Sequence, residues 1–254
     1  MVWLVFLVFI SLMSCEVDKL PSCEGIGAEG QICKEYQYLF GVYNGVNEYD
    51  YDLNSGFLST VITKGGNGSL QGVKSFFYDD EGLLSTVVLK NSKGKLISEK
   101  IFEYNDLGDL NREVLTGEFN TEHRYLYKDG LLKAESFYSN DKLEWIDSLE
   151  YFSETNEIYR KLRYVGNSLL HITYFQAFTN NVLEERVVND AGLIQSRKVI
   201  RFNDKEEKIE ELVYSGDNTL LNRVEYFYLE KGLDRIEKYN ELGEEYELIS
   251  YKRF

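Results

Sequence analysis

Residues 104–110 read YNDLGDL, and the pattern returns as YDDEGLL at 78–84 and as YNELGEE at 239–245. Each copy has an aromatic residue, an Asn or Asp, two free positions and a Gly. The Asn or Asp side chain accepts a backbone N–H and begins a type I turn. The Gly then takes the left-handed conformation that closes a hairpin with a bulge. The pattern therefore predicts repeated antiparallel hairpins.

The spacing of the motif sets the length of the repeating unit. Aromatic residues recur at intervals of roughly 24 residues from Tyr78 to Tyr251, and a second turn signal such as NSKG at 91–94 falls near the middle of an interval. The unit is therefore one turn and one strand, and two units make a hairpin. We expect the aromatic residue before a turn to pack across the strand pair against the Leu or Ile that lies two places after the Gly.

The turn signals predict the number and arrangement of the strands. From about residue 50 to the end they indicate about 16 strands of roughly eight residues, or ~26 Å each. Short connections make an antiparallel up-and-down meander. The 20 Tyr, 15 Phe and single Pro of the chain suit long runs of strand. Residues 204–213, DKEEKIEELV, have a helical spacing, but the register of the repeat favours a strand there.

Charged residues at the strand centres constrain the shape of the sheet. Glu99, Lys100 and Glu135 lie at predicted strand centres, whereas a sandwich requires one continuous apolar face per strand. The predicted fold is all-β, a wide closed barrel with a wet lumen. An open single-layer β-solenoid sheet is the alternative. Closure removes exposed sheet edges and so favours the barrel.

The repeated unit, Tyr-Asn/Asp-x-x-Gly-x-Leu, resembles the YD repeats of bacterial Rhs-type shells. It is also similar to the repeat of a group of Gram-negative lipoproteins of unknown function that form a porin-like soluble barrel. The resemblance extends from Tyr49 to the C-terminus, and no segment of the chain reads as a cargo enclosed by a shell.

The N-terminus resembles a bacterial lipoprotein signal. Residues 2–13, VWLVFLVFISLM, form an apolar run that is too short to span a bilayer and suits the core of a secretory signal. In the LMSC sequence that follows, Leu12, Ser14 and Cys15 resemble a lipobox. This resemblance implies cleavage before Cys15 and acylation of that residue. An ordinary signal peptide that is cut elsewhere is the alternative.

The expected organisation has three parts: a signal peptide at 1–14, a lipid anchor, tether and disulfide loop at 15–48, and the repeat domain at 49–254. We expect an outer-membrane-anchored lipoprotein of the bacterial cell envelope, either periplasmic or surface-exposed. A membrane-spanning barrel needs an apolar strand face, and Lys252 and Ser250 interrupt the face that ends at Phe254. The membrane is therefore expected to be contacted only through the N-terminal lipid.

Two cysteines follow the lipidated position. With Cys15 assigned to the lipid, Cys23 and Cys33 remain. In an oxidising compartment these two residues would form a disulfide. The bridge would close the Gly-rich loop CEGIGAEGQIC and stabilise the fold by about 2–3 kcal/mol. A metal-binding pair is the alternative, although no His or further Cys lies nearby to complete such a site.

Charge and motifs exclude several function classes. The formal net charge of −15 repels phosphate backbones, so nucleic-acid binding is not expected. The chain has no G-x-S-x-G, H-E-x-x-H or Gly-rich phosphate loop. DLNSG at 52–56 begins like a calcium loop but has Ile62 where the ligating Glu would stand, so a turn is favoured. We predict no catalytic residue, no metal site and no cofactor.

Trp145 is the one residue that we singled out for ligand binding. It is the only Trp after the signal segment, and it would either stack against a sugar in the lumen or at its rim, or pack as part of the wall. His123 and His171 are interpreted as incidental. We also expect the excess of acids to make the lumen negative, which would favour cationic or neutral polyhydroxy ligands.

These observations favour a monomeric, non-catalytic cell-envelope lipoprotein with a binding or interaction role, its partner a glycan, a cation or an envelope protein. Repeats build surface without building a reactive centre. Two alternatives remain at this point. One is a structural or immunity-type repeat shell protein, and the other is a glycoside hydrolase that uses paired carboxylates.

Overall fold

The computed structural model describes residue 23 and residues 27–179 and 181–254. Within these ranges the chain forms 18 strands, and none of the described residues forms a helix that is long and apolar enough to cross a membrane. The strands are β1 (Ile32–Leu39), β2 (Val42–Tyr51), β3 (Leu58–Gly65), β4 (Leu70–Tyr78), β5 (Leu84–Asn91), β6 (Leu96–Tyr104), β7 (Leu110–Gly117), β8 (Thr121–Lys128), β9 (Leu131–Ser139), β10 (Lys142–Tyr151), β11 (Ile158–Val165), β12 (Ser168–Thr179), β13 (Val182–Asn189), β14 (Ile194–Phe202), β15 (Lys208–Ser215), β16 (Leu220–Leu229), β17 (Gly232–Tyr239) and β18 (Glu245–Arg253).

The strands close into one antiparallel barrel. Each strand pairs with the next along the chain, and β1 also pairs with β18. Glu35 shows the closure, because it lies opposite Asn47 of β2 on one side and Tyr251 of β18 on the other. The closed meander confirms the predicted wide barrel and excludes the open sheet.

The barrel wall begins earlier than the predicted boundary at residue 49. β1 and β2 lie largely within the segment 15–48 that was predicted as anchor and tether, and they raise the strand count from about 16 to 18. They are joined by the two-residue turn Phe40–Gly41, in which φ is 48° and 73°. Such a turn lacks the Asx-x-x-Gly spacing, so the repeat pattern does not reveal it.

The turn at Asn105–Gly108 has the predicted chemistry. Gly108 has a φ of 82° and donates its N–H to the Asn105 carbonyl oxygen at 2.9 Å. Asn105 Oδ1 accepts the N–H groups of Leu107 and Asp109, each at 2.9 Å. The strand register then shifts, as expected for a bulge. The same backbone bond closes the turns at Asp79–Gly82, Asn91–Gly94, Asn189–Gly192 and Asn240–Gly243.

Three other turn predictions had different outcomes. Asn156 has a φ of 58°, as predicted, but its N–H bonds to the Phe152 carbonyl oxygen, so this turn is longer than the predicted Ser153–Asn156. At 52–56, Asp52 Oδ1 accepts the N–H groups of Asn54 and Ser55, which confirms a turn. The segment 204–213 contains a turn and the start of β15, so the strand prediction is correct for its second half.

The tyrosine before five of the turns at the end of even-numbered strands lies opposite the residue that follows the turn and makes one further bond. Tyr78 lies opposite Leu84, and Tyr104 lies opposite Leu110. In addition, the tyrosine hydroxyl donates to a backbone carbonyl near the start of the preceding strand, and we call this bond the tyrosine clasp. Clasps join Tyr51 to Ile32 (2.9 Å), Tyr78 to Leu58 (3.0 Å), Tyr104 to Leu84 (2.9 Å), Tyr151 to Leu132 (2.5 Å) and Tyr228 to Lys208 (3.0 Å).

The two faces of the sheet differ in their enclosure. Residues that lie opposite each other in register share a face. One face carries Asp147, which is fully buried, and the other carries the exposed Phe77 and Leu126. On the first face the rings of His123 in β8 and Trp145 in β10 approach to 5.9 Å across the intervening strand, as a concave surface permits. The first face therefore lines the lumen.

The two ends of the barrel are distinguished by their turns. The turns after even-numbered strands lie together with the Cys23–Cys33 disulfide and with Phe254, and we call this the disulfide end. The turns after odd-numbered strands lie at the opposite end, which we call the distal end. The disulfide, with Cα atoms 6.0 Å apart, confirms the predicted pairing.

Candidate functional site

The lumen carries nearly balanced charge. Opposing ion pairs line it, for example Lys100 Nζ with Glu113 Oε2 at 2.6 Å and Lys238 Nζ with Glu247 Oε2 at 2.7 Å. The charged residues on the lumenal face include Glu35, Glu113, Glu135, Asp147, Glu185, Glu211 and Glu247 with Lys74, Lys100, Lys133, Lys161, Arg163, Lys198, Lys238 and also Lys208, whose Nζ lies 3.2 Å from Glu211 Oε2. The expectation of a negative lumen is therefore wrong.

The excess of acids lies in the turns of the disulfide end. The turns there contain thirteen acidic and two basic residues, whereas the turns of the distal end contain six acidic and two basic residues. Acidic residues in exposed turns serve as caps or increase solubility, and they do not face the lumen. The net charge of the whole chain therefore does not predict the charge of the lumen. The negative potential is concentrated at one mouth of the barrel.

Trp145 lies on the lumenal face of β10 and is flanked on both sides. Phe137 of β9 lies opposite it in register and stacks at 5.4 Å with an interplanar angle of 23°. The guanidinium of Arg163, from β11 on the other side, lies 3.9 Å from the centre of the indole. Trp145 is therefore packed within the wall and is half-buried there.

His123 belongs to the same cluster. Its ring lies 4.8 Å from Phe137 and meets Trp145 edge-on at 5.9 Å, while Nδ1 is 2.7 Å from Glu135 Oε1. His123 thus packs in the wall of the barrel within a group of side chains that we call the Trp145 cluster and define as Trp145, Phe137, His123 and Arg163. Sequence spacing did not reveal it because the residues come from four different strands.

A buried ion pair supports the Trp145 cluster. Arg163 Nε and Nη2 donate to the two Asp147 carboxylate oxygens at 2.7 Å each, and Lys161 Nζ lies 3.2 Å from Oδ2. Burial opposes ionisation of Asp147, but the hydrogen bond from Arg163 and the charge of Lys161 outweigh it and lower the pKa of the carboxyl. The ionised Asp147 fixes the guanidinium that covers Trp145.

His171 lies beside the cluster without joining His123. It is opposite Arg163 in register on β12. Burial, together with the positive charge of Arg163, lowers the pKa of His171, so its imidazole is neutral at neutral pH. Among the described residues, no group of three or more His, Cys, Asp or Glu side chains is arranged to hold a metal ion.

A separate concavity opens at the disulfide end. It has a volume of about 470 Å³ and is lined by the turn after β16 and by the end of β18, including Leu233, Tyr251 and Arg253. Arg253 is held there by bonds from its guanidinium to the carbonyl oxygens of Gly30 (2.9 Å) and Leu233 (2.7 Å). The second of these bonds takes the place of a tyrosine clasp at the last even-numbered strand.

No protein-family model matches the chain, and no curated protein matches it in sequence. Solved structures do match. A porin-like protein from Bacteroides uniformis ATCC 8492 has a TM-score of 0.50 and 10% identity over 91% of this chain and 99% of that chain. One from Bacteroides vulgatus ATCC 8482 has a TM-score of 0.37 and 10% identity over 88% and 98%. The Photorhabdus luminescens Tc holotoxin pore has a TM-score of 0.41 and 15% identity over 80% and 12%. The first of these likenesses shows that the chain has the fold of a large β-barrel.

Proposed function

We propose that this chain is a non-catalytic binding protein of the bacterial cell envelope that takes a neutral polyhydroxy ligand, such as a glycan, into its lumen beside the Trp145 cluster. The observation that carries the proposal is the composition of that wall. Half-buried aromatic rings lie next to paired charges, and the net charge of the lumen is close to zero. Ligand sites combine aromatic contact area with a few placed polar groups.

The charges of the lumen support a neutral ligand over a cation. An isolated carboxylate would attract a cation, but the carboxylates near Trp145 already have basic partners. Asp147 is bound by Arg163 and Lys161, and Glu135 is bound by His123. Paired groups of this kind retain free lone pairs and N–H groups that hydroxyls can use.

The same carboxylates argue against the glycoside hydrolase alternative. Glu135 and Asp147 lie opposite each other in register on the lumenal face. A hydrolase of this kind needs one carboxylic acid with a raised pKa as the proton donor. Asp147 has a lowered pKa instead, and its side chain is buried. Asp147 therefore suits a structural ion pair with Arg163 and Lys161 better than the role of proton donor.

Ligand binding can be tested through the single Trp of the processed chain. We expect neutral oligosaccharides to change the fluorescence of Trp145 and to release or absorb heat in titration calorimetry. The Trp145→Leu variant should lose the heat signal, while Tyr138→Leu, on the outer face of the neighbouring strand, should keep it. Quencher-resistant emission that no oligosaccharide alters, with no heat of binding, would contradict the lumenal site.

The envelope part of the proposal rests on the lipobox-like sequence and on the geometry of chain entry. Cys23 and residues 27–31 lie at the disulfide end, so a lipid on Cys15 would tether the barrel by that end. The Cys15→Ser variant should be released in soluble form from membranes. A Cys15→Ser protein that still requires detergent would overturn the anchor without affecting the lumenal site.

A further inference from the structure

We propose that the distal end is a docking surface for a second copy of this chain, so that two barrels join end to end around one continuous lumen. The first observation is an apolar rim. Each of the nine distal hairpins exposes at least one large apolar side chain. Among the most exposed are Phe40, Phe119, Leu193 and Leu242, between 66% and 76% exposed.

The apolar area that the distal hairpins expose is comparable with that of a protein interface. The exposed apolar side chains follow the whole circumference, because the nine hairpins are consecutive around the closed sheet. Together they present on the order of 1,000 Å² of apolar surface, given roughly 150–250 Å² for a complete aromatic side chain. A standard interface needs about 800 Å² on each partner, so the exposed apolar area of the distal end is of the size that a dimer contact requires.

A second copy matches this rim in size, and charge opposes this contact less than a contact between two disulfide ends. Two distal ends have the same circumference and the same apolar character, so a two-fold axis between them gives a self-complementary contact. The distal turns have six acidic residues against thirteen in the turns of the disulfide end. Contact between two disulfide ends would be opposed by like charge, whereas contact between two distal ends would be opposed far less.

A lipid surface fits less well. Segments that bind the membrane interface usually combine apolar residues with many Lys and Arg. In the distal turns the basic residues are Lys93 and Lys95, both in one hairpin, and they are outnumbered by acids. The inference of a dimer departs from the expectation of a monomer. Of the 24 large apolar residues that are exposed among the described residues, fifteen lie at or beside the distal turns, although the two most exposed, Leu107 and Leu53, lie at the disulfide end.

The dimer would set the route into the lumen. If the two distal mouths are closed against each other, the remaining openings are the two disulfide ends. Each is ringed by the acidic turns, which would repel anions and admit neutral or cationic solutes. This route depends only on the apolar rim and on the acidic turns. It is independent of what binds beside Trp145.

The chain offers a matched pair of positions for the test. Leu242 in NELG and Leu107 in NDLG occupy the same place in the same type of turn, and the two residues are 76% and 83% exposed. Leu242 is at the distal end and Leu107 at the disulfide end. The double variants Leu242→Asp with Phe119→Asp, and Leu107→Asp with Leu53→Asp, therefore add equal charge to opposite ends of the barrel.

The lipid-free processed chain carrying Cys15→Ser should have twice the monomer mass in sedimentation equilibrium. The distal double variant should be monomeric with an unchanged circular dichroism spectrum, and the disulfide-end double variant should remain dimeric. Hydrogen exchange should slow at the distal turns, and not at the other turns, as protein concentration rises. The proposal is overturned by a monomer at every soluble concentration, by equal dissociation of both variants, or by binding to anionic vesicles that only the distal variant loses.

Discussion

The Arg163 guanidinium makes two 2.7 Å hydrogen bonds to the buried carboxylate of Asp147, from Nε to Oδ1 and from Nη2 to Oδ2. The same guanidinium lies 3.9 Å from the centre of the Trp145 indole. One ion pair thus joins two neighbouring strands and also fixes the cation that covers the aromatic cluster. Loss of this ion pair should therefore change both the free energy of unfolding and the environment of Trp145.

Replacing Asp147 with Asn should destabilise the barrel by about 3 kcal/mol, because Arg163 and Lys161 then lose their buried counter-charge. Urea unfolding followed by circular dichroism measures the change, and Trp145 emission should shift to the red. Glu150→Gln is the control. Glu150 also binds an arginine, Arg160, at 2.9 and 3.1 Å, but on the outer face. The Glu150→Gln variant should therefore lose less than about 1 kcal/mol of stability.

The lowered pKa of Asp147 also fixes a pH dependence. In the unfolded chain an Asp titrates at about 3.9. A folded pKa below that value means that the ion pair contributes fully above the unfolded pKa and is lost as pH falls through the folded pKa. The stability difference between the native chain and Asp147→Asn should therefore shrink below about pH 4. A difference that stays constant down to pH 2 would contradict the ionised state of Asp147.

Removing one tyrosine clasp should weaken the barrel by about 1 kcal/mol, the net value of a hydrogen bond. In Tyr104→Phe the ring remains opposite Leu110 while the bond to the Leu84 carbonyl oxygen is lost. Chemical unfolding should show this loss. The control is Tyr164→Phe, since the Tyr164 hydroxyl has no hydrogen-bond partner among the described residues. Equal effects of the two variants would assign the change to the ring and not to the clasp.

Glu206→Gly should stabilise the protein by up to about 1 kcal/mol, since Gly adopts a positive φ without the strain of a β-carbon. Glu206 stands where the other turns have Gly. Its φ is 62°, and its N–H donates to the Asn203 carbonyl oxygen at 3.0 Å. Gly108→Ala, at a φ of 82°, should instead destabilise the protein. Thermal unfolding measures both changes. Two variants that are both stabilised, or both destabilised, would contradict the turn geometry.

The Cys23–Cys33 bridge should form when the protein folds in an oxidising solution, and it should stabilise the fold by about 2–3 kcal/mol through the short loop that it closes. Intact-mass measurement after alkylation, with and without reductant, detects the bridge. The double variant Cys23→Ser with Cys33→Ser should show the stability loss. Two thiols that alkylate freely without reductant would contradict the bridge.

The repeated turns could be predicted from the sequence because their determinants are local. At Asn105–Gly108 the capping side chain, the residue at positive φ and the closing hydrogen bond all lie within five consecutive residues. The same locality fixes the strand lengths and the antiparallel meander. The hairpin at Phe40–Gly41 was missed because a two-residue turn carries a different signal.

The sequence by itself determined the hairpin unit, the all-β class and the pairing of Cys23 with Cys33. Only the tertiary structure decided closure, because Glu35 meets Tyr251 across more than 200 residues of chain, and no local pattern encodes that contact. It also decided which charges face inward, since a bulge beside most turns shifts the alternation of side chains between the faces. For the same reason the Trp145 cluster, assembled from β8, β9, β10 and β11, follows from the register of the closed sheet.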